Sequence, residues 1–105
     1  SLLTRPAPSQ EVHVVLVDNN RVAAMKDPVW AQATRCVRCA ACINVCPVFR
    51  TMGGHAYGTV YVGPMGITLT NALGLDPGAK RLADACTLCD ACAEVCPAGI
   101  DLPGL

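Results

Sequence analysis

The 105-residue sequence predicts a mainly α-helical domain, preceded by one strand with no partner of its own. Three observations lead there. Two cysteine runs, "CVRCAACINVCP" at 36–47 and "CTLCDACAEVCP" at 86–97, repeat at a shift of 50 residues, and an Asp-Pro pair stands ahead of each. The segment between them is cut by glycines and lacks the β-branched runs that hairpins need. Ahead of both lies "EVHVVLVDNNR", whose unbroken apolar run Val14–Val17 has no counterpart later in the chain.

Along the chain, Val14 to Val17 reads as a strand buried on both faces, as in a parallel sheet, ending in an Asp-Asn-Asn turn. With no other strands to pair with it, residues 1–20 read as the remnant of a missing α/β domain, and residues 21–105 as the helical domain. Asp27-Pro28 and Asp76-Pro77 each supply a cap and a proline at the first helical position. They predict helices over about 28–38 and about 77–88, each bringing its first cysteine to its C-terminal end. Val29, Trp30, Ala33 and Val37 give the first of these an apolar stripe, with Trp30 read as a core residue. One short helix is expected within the insert, from about Met65 to Leu73. The missing initiator Met and the finish at "DLPGL" suggest a processed chain or an excised piece.

Composition narrows the function. Formal net charge is zero, which removes the electrostatic case for nucleic acid or an anionic membrane surface. No apolar run reaches the roughly 18 residues of a membrane span, and no secretory signal opens the sequence. Aromatic residues make up only 4 %, so the core is thin and a staple would help it.

Eight cysteines could be a disulfide framework, zinc ligands or iron–sulfur ligands. The absent signal and the short spacings speak against disulfides. Zinc sites usually draw on two CxxC pairs separated by a longer loop. The run C-x2-C-x2-C-x3-C-P is instead the bacterial-type [4Fe–4S] pattern, and it occurs here twice without deviation. A cubane needs four thiolates at tetrahedral corners, and a loop carrying three can wrap one face of it. Small residues between the ligands (Ala40, Ala41, Ala91) let backbone N–H groups approach sulfur. In two-cluster proteins the fourth cysteine reaches the other cluster. Cluster I is thus assigned Cys36, Cys39, Cys42 and Cys96, and cluster II Cys86, Cys89, Cys92 and Cys46. Pro47 and Pro97 turn the chain away after each crossing. The pattern therefore predicts an α-helical ferredoxin with two [4Fe–4S] clusters, whose folding depends on them.

Taken together, "HVVLVDNNR", "RCVRCAACINVCPVFRTMGGHAYGTVYVGPMG" and "LCDACAEVCPAGIDLP" resemble the iron–sulfur subunit of L-lactate utilization complexes, from about His13 to the end. The "GGHAYG" insert makes the resemblance more specific than the cysteines alone. Ala40 departs from a glycine frequent in that family, which hardly affects ligation. The resemblance implies a cytoplasmic complex oxidising L-lactate to pyruvate, with other subunits as partners and an unknown electron acceptor. It also implies an N-terminal α/β domain ahead of the ferredoxin domain and a further region after it. Iron–sulfur subunits of glycolate oxidase, glycerol-3-phosphate dehydrogenase and heterodisulfide reductase share the cysteine pattern but not the insert.

Electron transfer is one reading; a structural or oxidant-sensing module is another. A pair of clusters with crossed ligands favours a wire. No nucleophile–base pair or phosphate loop points to catalysis here, so no catalytic residue is assigned. His55, Tyr57 and Tyr61 read as packing or hydrogen-bonding residues of a glycine-rich loop, and His13 as a structural residue in the strand. Arg35, Arg38 and Arg50 surround the first cysteine run, whereas Asp84, Asp90, Glu94 and Asp101 surround the second. Positive charge favours the reduced cluster, so cluster I is expected at the higher potential.

Overall fold

A computed structural model describes residues 9–105, and among these every regular element is helical. The elements are α1 (Arg21–Lys26), a 3-10 helix Trp30–Arg35, α2 (Ala41–Val45) and α3 (Pro47–Met52). A 3-10 helix Gly54–Tyr57, α4 (Gly63–Ala72), a 3-10 turn Pro77–Ala79 running into α5 (Lys80–Ala83), and α6 (Ala91–Glu94) follow. None is long and apolar enough to cross a membrane.

The Asp-Pro signals act locally, but only the second acts as expected. Asp76 is the N-cap ahead of Pro77, whereas the first stretch is a 3-10 helix that starts at Trp30 with Val29 at its N-cap. Asp27 Oδ1 accepts from the backbone N–H groups of Val29 and Trp30 at 2.8 and 3.2 Å. Asp76 does the same for Gly78 at 2.8 Å. Both helical stretches end early, at Arg35 and Ala83 rather than 38 and 88. The cause lies in the next residues: Arg38, Ala40, Leu88 and Asp90 all take positive φ, which no helix admits. The expected stripe is also reduced. Ala33 is buried and Trp30 half-buried, but Val29 and Val37 face solvent.

The expected strand does not form. Residues 11–18 carry no regular structure and are exposed, with Leu16 at 92 %. Strand geometry needs a neighbour to complete its hydrogen bonds, and the described chain offers none. His13 is correspondingly exposed and meets only Glu11, at 3.6 Å. The Asp-Asn-Asn turn does form, with Asn19 and Asn20 left-handed. It starts α1, where Asp18 Oδ1 accepts from Val22 N at 2.8 Å. Asn20 Nδ2 donates to the Leu73 carbonyl at 2.9 Å and ties α1 to the end of α4.

The insert helix α4 forms two residues earlier than its expected start and is the structural axis. It packs against α2, α5 and the two 3-10 segments that precede the cysteine runs. Its Met65 and Leu69 join Ala33, Cys92, Ile100 and Leu102 in the core, with Cys36, Cys42 and Cys96 packed around them. Thiols are thus part of the core. Gly66 makes the close approach possible, because a Cβ there would collide with the Tyr61 backbone. Gly63, at φ +71°, likewise leaves room for Ile43, which lies 2.6 Å from where a Cβ would stand.

Backbone atoms at Gly66 cannot yield as a flexible side chain would. Gly66→Ala is expected to cost about 3 kcal/mol of stability, read as a lowered denaturation midpoint of the folded protein.

Candidate iron–sulfur centres

Both cysteine loops adopt the same backbone path. In the first, Arg38 (φ 59°) and Ala40 (φ 64°) are left-handed; in the second, Leu88 (φ 51°) and Asp90 (φ 60°) are. Cys36 N donates to Ala33 O, and Cys86 N to Ala83 O. Cys46 N bonds Ile43 O, and Cys96 N bonds Ala93 O. Arg38 N reaches Cys36 Sγ and Leu88 N reaches Cys86 Sγ, each at 3.4 Å. Four non-glycine residues in αL geometry carry strain of about 1–3 kcal/mol each, which marks these loops as built for something they surround.

What they surround are two cavities. One, of about 220 Å³, is lined by Cys36, Cys39, Cys42 and Cys96, with Tyr61, Met65, Leu69 and Ile100 among its walls. The other, of about 160 Å³, is lined by Cys46, Cys86, Cys89 and Cys92, with Trp30, Tyr57 and Ile67. Each takes three thiols from one run and the fourth from the other. Leu102 lines both and is their shared wall. α2 packs against α6, which brings the two halves together and carries Cys46 and Cys96 across.

All eight cysteines are free thiols. Among the described residues, no three His, Cys, Asp or Glu side chains converge closely enough to hold a single metal ion. Four thiols spread around a cavity suit a body larger than one ion. The donor set, all sulfur within mostly apolar walls and with backbone N–H groups reaching sulfur, fits an iron–sulfur cluster and not a hard oxygen-loving cation.

Protonation differs among the thiols. Burial pushes Cys92 up to about 11, and the neighbouring thiols Cys86 and Cys42 add to the rise. Cys42 is also raised, chiefly by burial, although the Met65 N–H partly offsets it. Cys89 is lowered by the Ala91 N–H and then by the Thr87 hydroxyl. Phe49 N donates to Cys46 Sγ at 3.5 Å from the first turn of α3.

Charge is also distributed unequally. Arg38 lines the first cavity, with its guanidinium 4.9 Å from the Tyr61 ring centroid. Arg21 donates to the Tyr61 hydroxyl at 3.2 Å, so one tyrosine holds two cations beside that cavity. Asp90 lines the second cavity. Arg50 follows Cys46, whose thiol lines the second cavity, so nearness in sequence to the first run does not place it at the first cavity. His55 is exposed and lines a shallow depression that contains no thiol.

Residues 32–100 match the family model of the 4Fe-4S dicluster domain. The chain belongs to this family. It is also 48 % identical over 96 residues to Lactate utilization protein B of Bacillus thuringiensis (strain Al Hakam), Bacillus cereus (strain AH187) and Bacillus anthracis (strain A0248). These matches cover 91 % of this chain and 20 % of each relative. The resemblance to a lactate utilization iron–sulfur subunit, read from the cysteine runs and the "GGHAYG" insert, is thereby borne out for the span aligned. No solved structure matches the chain.

The sequence pattern does not mark Arg21, Thr87 or Leu102 as residues of the site, and marks Met65 only as the start of the insert helix. Thr87 stands between two cysteines, and that position was the one available signal. The others reach the site only through folding. Were Cys42 and Cys92 to hold clusters, loading would have to strip the protons that burial favours there, because cluster ligands are thiolates. Iron and sulfide uptake at fixed supply is therefore expected to rise from about pH 7 to about pH 9, followed by visible absorbance.

Proposed function

We propose that this chain carries electrons through two [4Fe–4S] clusters within a cytoplasmic complex that oxidises L-lactate to pyruvate. Cys36, Cys39, Cys42 and Cys96 hold the first cluster, and Cys86, Cys89, Cys92 and Cys46 hold the second. The observation that carries this reading is the crossed lining of the two cavities, three thiols from one run and one from the other in each. A dicluster family match and relatives named for lactate utilization support it. The chain spans 20 % of those relatives, so substrate and partner subunits come from the resemblance alone. Free thiols throughout suit a reducing compartment. We take the helical domain to cover residues 21–105; ahead of it the apolar run Val14–Val17 is exposed.

Such clusters supply reversible one-electron carriage. Lactate oxidation releases two electrons and two protons, and two one-electron sites side by side suit a two-electron donor. The chain's own residues set the conditions. Met65, Leu69, Ile100 and Leu102 wall the first cavity on its core side, beside the half-buried Cys36, Cys42 and Cys96. Backbone N–H groups of Arg38, Leu88 and Phe49 point at sulfur and favour the more negative, reduced form. Arg38 adds a full positive charge at the first cavity, and Asp90 a negative one at the second.

Anaerobic metal analysis tests the assignment. About eight irons and eight acid-labile sulfides per chain are expected, with reversible bleaching on reduction. Zinc without sulfide would overturn the proposal, and clusters that never reduce would leave only a structural role. Arg38→Leu tests the electrostatics. The backbone tolerates it, since Leu88 already holds the equivalent left-handed position. The midpoint of the first couple should fall by up to about 59 mV, a tenfold change for one electron, in a potentiometric titration.

A further inference from the structure

Tyr57 closes the 3-10 helix Gly54–Tyr57 and is 5 % exposed. Its ring packs on Phe49, with centroids 5.8 Å apart and planes tilted by 38°. Phe49 in turn gives its backbone N–H to Cys46 Sγ. The "CPVF" and "GGHAYG" segments are therefore locked together, and the phenol lies along the wall of the second cavity. Yet the Tyr57 hydroxyl is buried and makes no hydrogen bond among the described residues. A buried polar hydrogen without an acceptor is costly, and folded proteins rarely leave one. Tyr61 shows the contrast: its hydroxyl is engaged by Arg21.

Tyr57 shares that wall with thiols of both cysteine runs. Beyond burial, the groups that disfavour its ionisation are the thiols Cys46 and Cys86, one from each run and both in the second cavity. A buried phenol O–H on a cavity wall shared with Cys46 and Cys86 is a donor waiting for an acceptor. Among the described residues none on this wall, Thr68, Asn71, Thr87 and Asp90 included, accepts from it, whereas the sulfur of an iron–sulfur cluster can.

We infer that Tyr57 is a tuning residue of the second centre, donating its phenolic hydrogen bond to a sulfur of the cluster held there. This deepens the electron-transfer reading and rests on it. A donor at sulfur withdraws negative charge and favours the reduced state, so Tyr57 raises the second cluster's potential. It acts opposite in sign to Asp90 at the same cavity. The cavity with the acidic loop thus gains a neutral hydroxyl where the first cavity gains a guanidinium.

Tyr57→Phe in the full chain, loaded anaerobically, is the test. The ring and its contact with Phe49 remain, and the hydroxyl lost has no protein partner, so folding and iron and sulfide content are expected to stay at wild-type values. Redox titration followed by electron paramagnetic resonance reads both couples. Cys89→Ser, which alters a ligand of the second cavity, identifies the second couple by its shift or loss. Tyr57→Phe should lower that couple alone, reducing its ratio of reduced to oxidised cluster about tenfold at fixed potential, or about 59 mV. In deuterated buffer, electron–nuclear double resonance should show an exchangeable deuteron coupled to the reduced second cluster, absent from the variant. Full iron and sulfide with both midpoints and the deuteron signal unchanged would overturn the role of Tyr57 and leave the electron-transfer reading intact. Movement of the first couple instead would also overturn it. A chain that takes up no iron and sulfide would remove the electron-transfer reading, and this inference with it.

Discussion

Everything in this small protein depends on Cys46 and Cys96 standing in the wrong half of the molecule. Each ends a cysteine run, yet each lines the cavity formed by the other run. That exchange requires α2 and α6 to lie against each other, with α4 packed on α2. It also brings thiols into the apolar core: Cys92 is buried, and Cys36, Cys42 and Cys96 pack against Met65, Leu69 and Ile100. In a chain with so few aromatic residues, sulfur fills volume that a larger hydrophobe would otherwise occupy. The same atoms are offered as ligands, so the core and the site cannot be separated.

A shared backbone with different side chains is the second theme. The loops agree residue by residue in their left-handed positions and their N–H contacts to sulfur. They disagree in charge: Arg38 stands where the other loop has Leu88, and Ala40 where it has Asp90. Geometry is therefore duplicated, while the electrostatic setting of each centre is set independently. Solvent screens the exposed part of that difference, so the groups held against a cavity wall, such as Arg38 on Tyr61, count for most.

The sequence made the site more legible than the fold. Cysteine spacing with an adjacent proline is readable along the chain, and the two thiol sets it suggests are the sets that line the two cavities. Asp27 and Asp76 marked helix starts because capping is local. Where those helices stop was harder to see. Non-glycine residues at positive φ, here Arg38 and Leu88, carry no compositional signal. The run Val14–Val17 misled for the opposite reason. Its composition suits a strand, but strand formation depends on partners, and the described chain supplies none. Tyr57 and Tyr61 looked alike in sequence; only packing left one hydroxyl engaged and the other free.

The crossing has a consequence for symmetry. A single repeat, taken alone, would present three thiols around an open hollow and send its fourth outward. Two copies of that repeat facing each other across a two-fold axis would complete both hollows at once, each lending the other its last cysteine. The 105-residue chain has this arrangement within one molecule, with the insert "GGHAYGTVYVGPMG" as part of the link between the two repeats. Joining them in one chain is what allows the halves to differ, because a true homodimer would have to place the same residue beside both centres.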